Sequence, residues 1–247
     1  MSPLRALLVD VGGTLVNDAT WIPPDRYREL RLRRMAEALG GERPWFAELV
    51  DHAFEWGSAP TFEQRIATAV TDFLTDRGLT PDEAEVEAIC RANAAPIREL
   101  VELEEHALPS MHAARSLGLR MAICSNTLWR DDADSRRDWE VLGFGHLFDA
   151  HVTSHSTGYE KPHPAMFERC LAALGVSAAE AAIVGDRPER DVAGARAVGM
   201  RAIWKRPFDY EGEPDPEPDA VISCLSDLAP ILRAWSGHDR RDHSQEV

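Results

Sequence analysis

Short apolar runs recur along this chain at Leu4 to Val9, Leu119 to Cys124, Ala181 to Val184, Ala202 to Trp204 and Ala220 to Ile222. Each ends in a polar or glycine-containing loop, and a helical stretch follows. Side chains that are apolar on both sides of the pleat belong to strands covered on both faces, which is the condition of a parallel sheet. Strands alternating with helices require right-handed crossovers, and the result is an open, doubly wound sheet that binds ligands outside the carboxyl ends of its strands. The fold class expected is therefore α/β, with a Rossmann-like, doubly wound parallel sheet as its core.

The stretch from about Val16 to Leu108 differs, with helix-start signals and 3.6-residue patterning but no such run. It predicts an all-helical cap inserted after the first strand. The expected division is a core of residues 1–15 and 109–235, a cap of 16–108 and a disordered tail of 236–247. Thr61-x-x-Gln64, Thr80-Pro81-Asp82-Glu83 and Ser177-x-x-Glu180 match capping boxes and read as structural. A lobe of this size over the sheet edge leaves a cleft between cap and core.

With 247 residues and 44% hydrophobic content the chain can fill such a core unaided. A formal net charge of −15 argues against nucleic acid or an anionic membrane as partner, so any phosphate must be held locally. Cys90, Cys124, Cys170 and Cys224 form no CxxC pair, which suggests neither a zinc site nor a disulfide framework and fits a reducing cytoplasm. Asp10 interrupts the first apolar run far short of a signal peptide or membrane span.

Four polar clusters, three of them at predicted strand ends, carry the chemistry. Asp10 in Asp10-Val11-Gly12-Gly13-Thr14 offers a carboxylate to the cleft, where it can attack phosphorus and share a divalent ion. Gly12 and Gly13 allow close backbone approach, and the Gly12 carbonyl is a hard oxygen donor. Ser125-Asn126 presents a hydroxyl and N–H groups suited to phosphoryl oxygens. Lys161, held extended by Pro162, supplies an ammonium, while Asp186 after Gly185, with Asp191 five residues on, forms an acid pair suited to Mg²⁺.

These clusters resemble the four motifs of the haloacid dehalogenase superfamily, specifically the branch with a helical cap after the first motif. Val9-Asp10-Val11-Gly12-Gly13-Thr14-Leu15, Cys124-Ser125-Asn126, Glu160-Lys161-Pro162-His163-Pro164 and Val184-Gly185-Asp186 through Asp191-Val192-Ala193-Gly194-Ala195 carry the likeness. The resemblance implies hydrolase activity on a small phosphorylated substrate through an aspartyl-phosphate on Asp10. It also implies Mg²⁺ held by Asp10, the Gly12 carbonyl and Asp186 with Asp191 in support, and Gly13, Thr14, Ser125, Asn126 and Lys161 in the phosphoryl site.

Gly12 departs from the pattern, because phosphatases of this superfamily usually place a proton-donating aspartate there. Loss of such an acid costs on the order of 10²–10⁴-fold in rate, most for poor leaving groups. Acyl or activated sugar phosphates need less protonation, and Asp18 is the nearest alternative acid. Three readings follow in order: a Mg²⁺-dependent phosphatase of weak or narrow activity, a 2-haloacid dehalogenase-like hydrolase, and a non-catalytic binding or regulatory protein.

Other features read as structural. Asp131-Asp132-Ala133-Asp134-Ser135 starts like a calcium loop but lacks the turning glycine, and reads as a solvated loop. His151 and His155 flank a strand-to-loop region and share no metal, and His163 lines the cleft without a catalytic role. Arg26, Arg28, Arg31, Arg33 and Arg34 form the solvated face of a cap helix, from which one arginine can reach a substrate anion. Trp21, Trp45, Trp56 and Arg65 are the cap residues nearest to a selective role.

Overall fold

The computed structural model describes residues 2–17, 23–52 and 62–237. Asp18, Trp21, Trp56, the Thr61 to Gln64 cap and the tail beyond Gly237 lie outside the described residues. Among the described residues, six strands form one parallel sheet in the order β3-β2-β1-β4-β5-β6. They are β1 (Ala6–Val9), β2 (Arg120–Ser125), β3 (Ala150–Thr153), β4 (Ala181–Gly185), β5 (Arg201–Lys205) and β6 (Ala220–Ile222). Five coincide with the apolar runs. The sixth, β3, has no such signal because His151 and Thr153 occupy a strand of only four residues.

Val9 pairs with both Ile123 and Val184, so β1 lies between β2 and β4 and the chain after it can cross to either side. That is the switch point at which doubly wound sheets bind ligands. The sheet's two faces follow the two-residue period of the strands. Leu7 and Val9 join Met121 and Ile123 on one face; Leu8 joins Ala122 and Cys124 on the other. Leu7 and Leu8 are wholly buried, each contributing about 1.5–3 kcal/mol from burial.

Helices α5 (Ala107–Ser116), α6 (Asp132–Val141) and α10 (Leu228–Ser236) cover the first face through Met111, Trp139 and Leu232. Beyond the four-residue α7 (Ser154–Thr157), α8 (Pro164–Leu174) and α9 (Ala193–Val198) cover the second through Phe167 and Ala195. These last two helices touch so closely at Gly194 that a Cβ there would lie 2.1 Å from Phe167 Cε2.

The inserted stretch contributes α1 (Pro24–Ala38), α2 (Phe46–Asp51), α3 (Phe62–Thr75) and α4 (Glu83–Asn93), packed around Met35, Leu49, Val70 and Ile89. The chain enters and leaves it side by side: Val16 forms an antiparallel bridge with Leu103, and Glu104 N–H donates to the Leu15 carbonyl at 2.9 Å. The arginine-rich face of α1 is partly structural rather than solvated, since Arg31 donates to Asn93 and the Val50 carbonyl, and Arg34 to the Ala92 carbonyl.

Two local expectations need correction. Helix α4 starts at Glu83, and its cap is Asp82, accepting from Glu85 N–H at 2.8 Å, rather than Thr80. Asp131 to Ser135 is a helix start rather than a solvated loop. The Asp131 carboxylate accepts from Asp134 N–H at 2.7 Å, while Asp132 accepts from both the N–H and the hydroxyl of Thr153 at 2.8 Å. The Ser177 to Glu180 box does form, with Ser177 N–H donating to the Glu180 carboxylate at 3.1 Å. Among the described residues no helix is long and apolar enough to cross a membrane.

Candidate active site

Asp10 is the first residue beyond β1, and the end of that central strand carries its carboxylate to the switch point. Its backbone N–H donates to the Val184 carbonyl at 3.0 Å, so the parallel pairing continues one residue past the strand and fixes the side chain's origin. Thr14 returns in the following turn to donate its hydroxyl to Asp10 Oδ2 at 3.2 Å. The turn depends on Gly13, whose φ of 67° is open to glycine at little cost. Lys205, at the end of β5, braces the same turn by donating to the Gly13 carbonyl at 2.7 Å.

Lys161 is buried, and its ammonium donates to Asp10 Oδ1 at 2.5 Å and to Asp191 Oδ1 at 2.7 Å. A buried ammonium persists only when paired. Burial works against its charge, but the Asp10 and Asp191 carboxylates outweigh that cost and hold its pKa above the ordinary lysine value. Asn126 positions this lysine: its amide oxygen accepts from Lys161 N–H at 2.8 Å and its amide nitrogen donates to the Lys161 carbonyl at 3.2 Å. The Lys161-Pro162 peptide is cis.

The second acid pair sits beyond β4. Asp186 is buried, pairs with Arg187 Nε at 3.2 Å, and offers its backbone carbonyl to the Trp204 indole N–H at 2.9 Å. Asp191, in the single wide turn Pro188–Val192, is more deeply buried and accepts from Arg187 N–H at 3.1 Å. Burial pushes the Asp191 carboxyl up to about 6 and the Asp10 charge adds to the rise, against the opposing pull of Lys161 and the Arg187 N–H. Gly185 makes room for this carboxylate, since a Cβ there would lie 2.3 Å from Asp191 Oδ2.

Carboxylate oxygens of Asp10, Asp186 and Asp191 all lie within 4.8 Å of one another. Three hard, buried carboxylate donors meet here, with Lys161 bridging two of them and Arg187 pairing with the third. That donor set fits Mg²⁺, which takes carboxylate and carbonyl oxygens and retains water.

The acids and Lys161 line a polar pocket of about 150 Å³ together with Gly12, Ser125, Arg187 and Arg190. Gly12, Ser125 and Asn126 also border an adjoining cavity of about 270 Å³ that reaches the insert through Tyr27, Asn93 and Ile97. Among the described residues, no carboxylate lines this second cavity. A larger hollow of about 550 Å³, between α3, α4 and the start of α6, contains none of the predicted site residues.

The four clusters thus meet at one place. Lys205, Arg187, Arg190 and Trp204 were not anticipated. The sequence marks the two arginines by their position between two acids and Lys205 by its place at the end of an apolar run; nothing marks Trp204 apart from its neighbours. His163 instead caps α8, accepting from Ala165 N–H at 3.2 Å, and stacks on Tyr159 with ring centres 3.9 Å apart. His151 and His155 have separate partners, the Ser135 hydroxyl and the Leu128 carbonyl. Trp45 is buried within the insert, and Arg65 donates across to the Gly158 carbonyl at 2.8 Å.

A family model for haloacid dehalogenase-like hydrolases matches residues 4–199. The chain is 33% identical over 243 residues to a phosphoserine phosphatase of Thermus thermophilus, covering 86% of this chain and 94% of that protein. It is 35% identical over 120 residues to a glyceraldehyde 3-phosphate phosphatase of Pyrococcus furiosus, covering 46% of this chain and about half (50%) of the relative's length. A solved 2-haloacid dehalogenase of Pseudomonas syringae superposes with a TM-score of 0.65 at 25% identity, over 94% of this chain and 99% of that one.

Proposed function

This chain belongs to the haloacid dehalogenase-like hydrolase family, and from that premise we propose that it is a Mg²⁺-dependent phosphatase acting on a small phosphorylated metabolite through an aspartyl-phosphate on Asp10. The observation that carries this reading is the grouping of the Asp10, Asp186 and Asp191 carboxylates within 4.8 Å at a polar pocket, with Lys161 bridging two of them. The similarity to a phosphoserine phosphatase along most of the chain supports it.

Asp10, the Gly12 carbonyl and Asp186 would hold Mg²⁺ with Asp191 in support, and the bound ion would neutralise charge on the phosphoryl oxygens. The chain's own residues do the rest. A carboxylate oxygen of Asp10 attacks phosphorus, and the bond to the leaving oxygen breaks with its electron pair on that oxygen. Lys161 neutralises charge on the nucleophile and the transferring group, while Ser125 and the Gly13 backbone bind phosphoryl oxygens. Thr14 orients the Asp10 carboxylate, and Asn126 holds Lys161 in place. Water then attacks the acyl phosphate and restores Asp10.

The cavity of about 270 Å³ beside the pocket suits a leaving group of metabolite size. Among the described residues its lining holds no acid, at Gly12 or elsewhere. Substrates whose leaving oxygen needs little protonation, such as acyl or activated sugar phosphates, therefore fit best.

A panel of phosphorylated metabolites assayed with and without Mg²⁺ tests the reading. Phosphate release should require Mg²⁺ and fall on the order of 10³-fold in Asp10→Asn, roughly 4 kcal/mol of barrier. Restoring an acid in Gly12→Asp should raise turnover of alkyl phosphates by up to about 10²-fold. Activity that survives Asp10→Asn removes the nucleophile. The likeness to a 2-haloacid dehalogenase makes a second reading concrete, and chloride release from a 2-haloacid without Mg²⁺ would select it.

A further inference from the structure

We propose that Glu104, His106 and Cys224 form a second metal site, for a thiophilic divalent ion of the zinc type, that ties the chain's return from the insert to the sheet core. A carboxylate oxygen, an imidazole nitrogen and the thiol sulfur of these residues all lie within 4.8 Å of one another. The residues are distinct from those of the phosphoryl pocket, so the inference stands or falls apart from the reaction proposed above.

The chain gives no local sign of such a site, because Cys224 has no cysteine near it in sequence. Tertiary contacts create it. Glu104 belongs to the chain's return from the insert, fixed by its N–H bond to the Leu15 carbonyl. Its Oε2 accepts from His106 N–H at 2.8 Å, and its Oε1 faces Cys224 Sγ at 4.0 Å. Cys224 sits in the turn after β6, where its own N–H donates to Asp227 at 3.3 Å. The Ser110 hydroxyl of α5 donates to the Leu225 carbonyl at 2.8 Å and clamps the two segments together.

His106 precedes α5 without capping it, and its ring has no partner among the described residues. Cys224 is a free thiol, and all three residues are half-buried, open enough for an ion to enter. A carboxylate, an imidazole and a thiolate together select zinc-type ions over magnesium. Metal–ligand distances of about 2.0–2.3 Å place tetrahedral ligands roughly 3.5 Å apart. Small rotations of these half-buried side chains close the remaining gap, and water takes the fourth position. On binding, the Cys224 thiol releases its proton to solvent and its sulfur lone pair goes to the metal, with no change of oxidation state.

Because Glu104 lies on the return from the insert and Cys224 on the core, the ion would pin one crossing of the chain where the insert joins the sheet. The test uses the full chain, stripped with a chelator and titrated with Co²⁺ in excess Mg²⁺. One equivalent of Co²⁺ should bind with a thiolate-to-metal charge-transfer band, and Zn²⁺ should displace it. Cys224→Ser should abolish the band, and His106→Ala, which removes a direct ligand, should weaken Zn²⁺ binding by more than the roughly 10–100-fold that loss of an outer-shell partner costs. Cys90→Ser and Asp186→Asn should leave both unchanged. Should Cys224→Ser fail to fold by circular dichroism, His106→Ala and Cys90→Ser carry the test. No band in the parent, a band lost in Cys90→Ser, or binding lost in Asp186→Asn overturns the assignment.

Discussion

At Gly185 one methyl group separates the site from a distorted one. A Cβ there would lie 2.2 Å from Asp191 Cγ and 2.3 Å from its Oδ2, with no flexible chain end to yield. Gly185→Ala should therefore displace the Asp191 carboxylate. The Mg²⁺ concentration for half-maximal activity should rise roughly tenfold, and stability should fall about 1–3 kcal/mol from overpacking; a Mg²⁺ titration of activity and a urea melt measure the two effects. The identities of Asp10, Ser125, Lys161, Asp186 and Asp191 were legible as clusters, three of them at strand ends, because a buried parallel strand must finish in a polar loop. The duties of Asn126 and Thr14 were not. Both hold a neighbour in place, Asn126 the Lys161 backbone and Thr14 the Asp10 carboxylate, and such contacts leave no local pattern.

Strand β3 and helix α6 illustrate the same limit among elements. The strand lacks an apolar run, and α6 with its Asp131 cap opens on three acids in four residues, yet each stabilises the other. Asp132 accepts two hydrogen bonds from Thr153, and Ser135 meets His151 Nδ1 at 3.0 Å. His151 Nε2 is buried without a partner among the described residues, and burial, followed by the nearby Arg136 charge, lowers its pKa to about 4. The unfolded chain therefore binds the proton more tightly, and stability that is full above pH 6.5 is lost as pH falls towards 4. At pH 5 the loss from this one group is about 2 kcal/mol. Asp191, whose folded pKa is raised, works in the opposite direction in that window, so the comparison must be made against a variant. Denaturant melts at pH 7.5 and pH 5 should show the parent losing more stability than His151→Gln; equal losses would exclude the effect.

Across the whole molecule, the insert and the sheet share structure rather than merely meeting. Trp129, from the loop after β2, is buried in the insert's own apolar cluster, and the Arg31 guanidinium lies 5.6 Å from its ring centre. Ile97 N–H, on the return from the insert, donates to Asp138 of α6 at 3.1 Å. Trp129→Ala should cost about 3–5 kcal/mol, and the insert should then melt ahead of the sheet, visible as two transitions by calorimetry in place of one. The layered order of strands and helices, the helical insert and the acids and lysine that meet at the polar pocket were readable from the chain alone, since burial of a strand on both faces or a helix on one writes itself into neighbouring residues. The pairing of Lys161 with Asp10, 151 positions apart, could emerge only on folding, as could the Trp129 contact and the meeting of Glu104 with Cys224. Such contacts depend on how strands are ordered in the sheet and where loops cross its end, and no local periodicity encodes that arrangement.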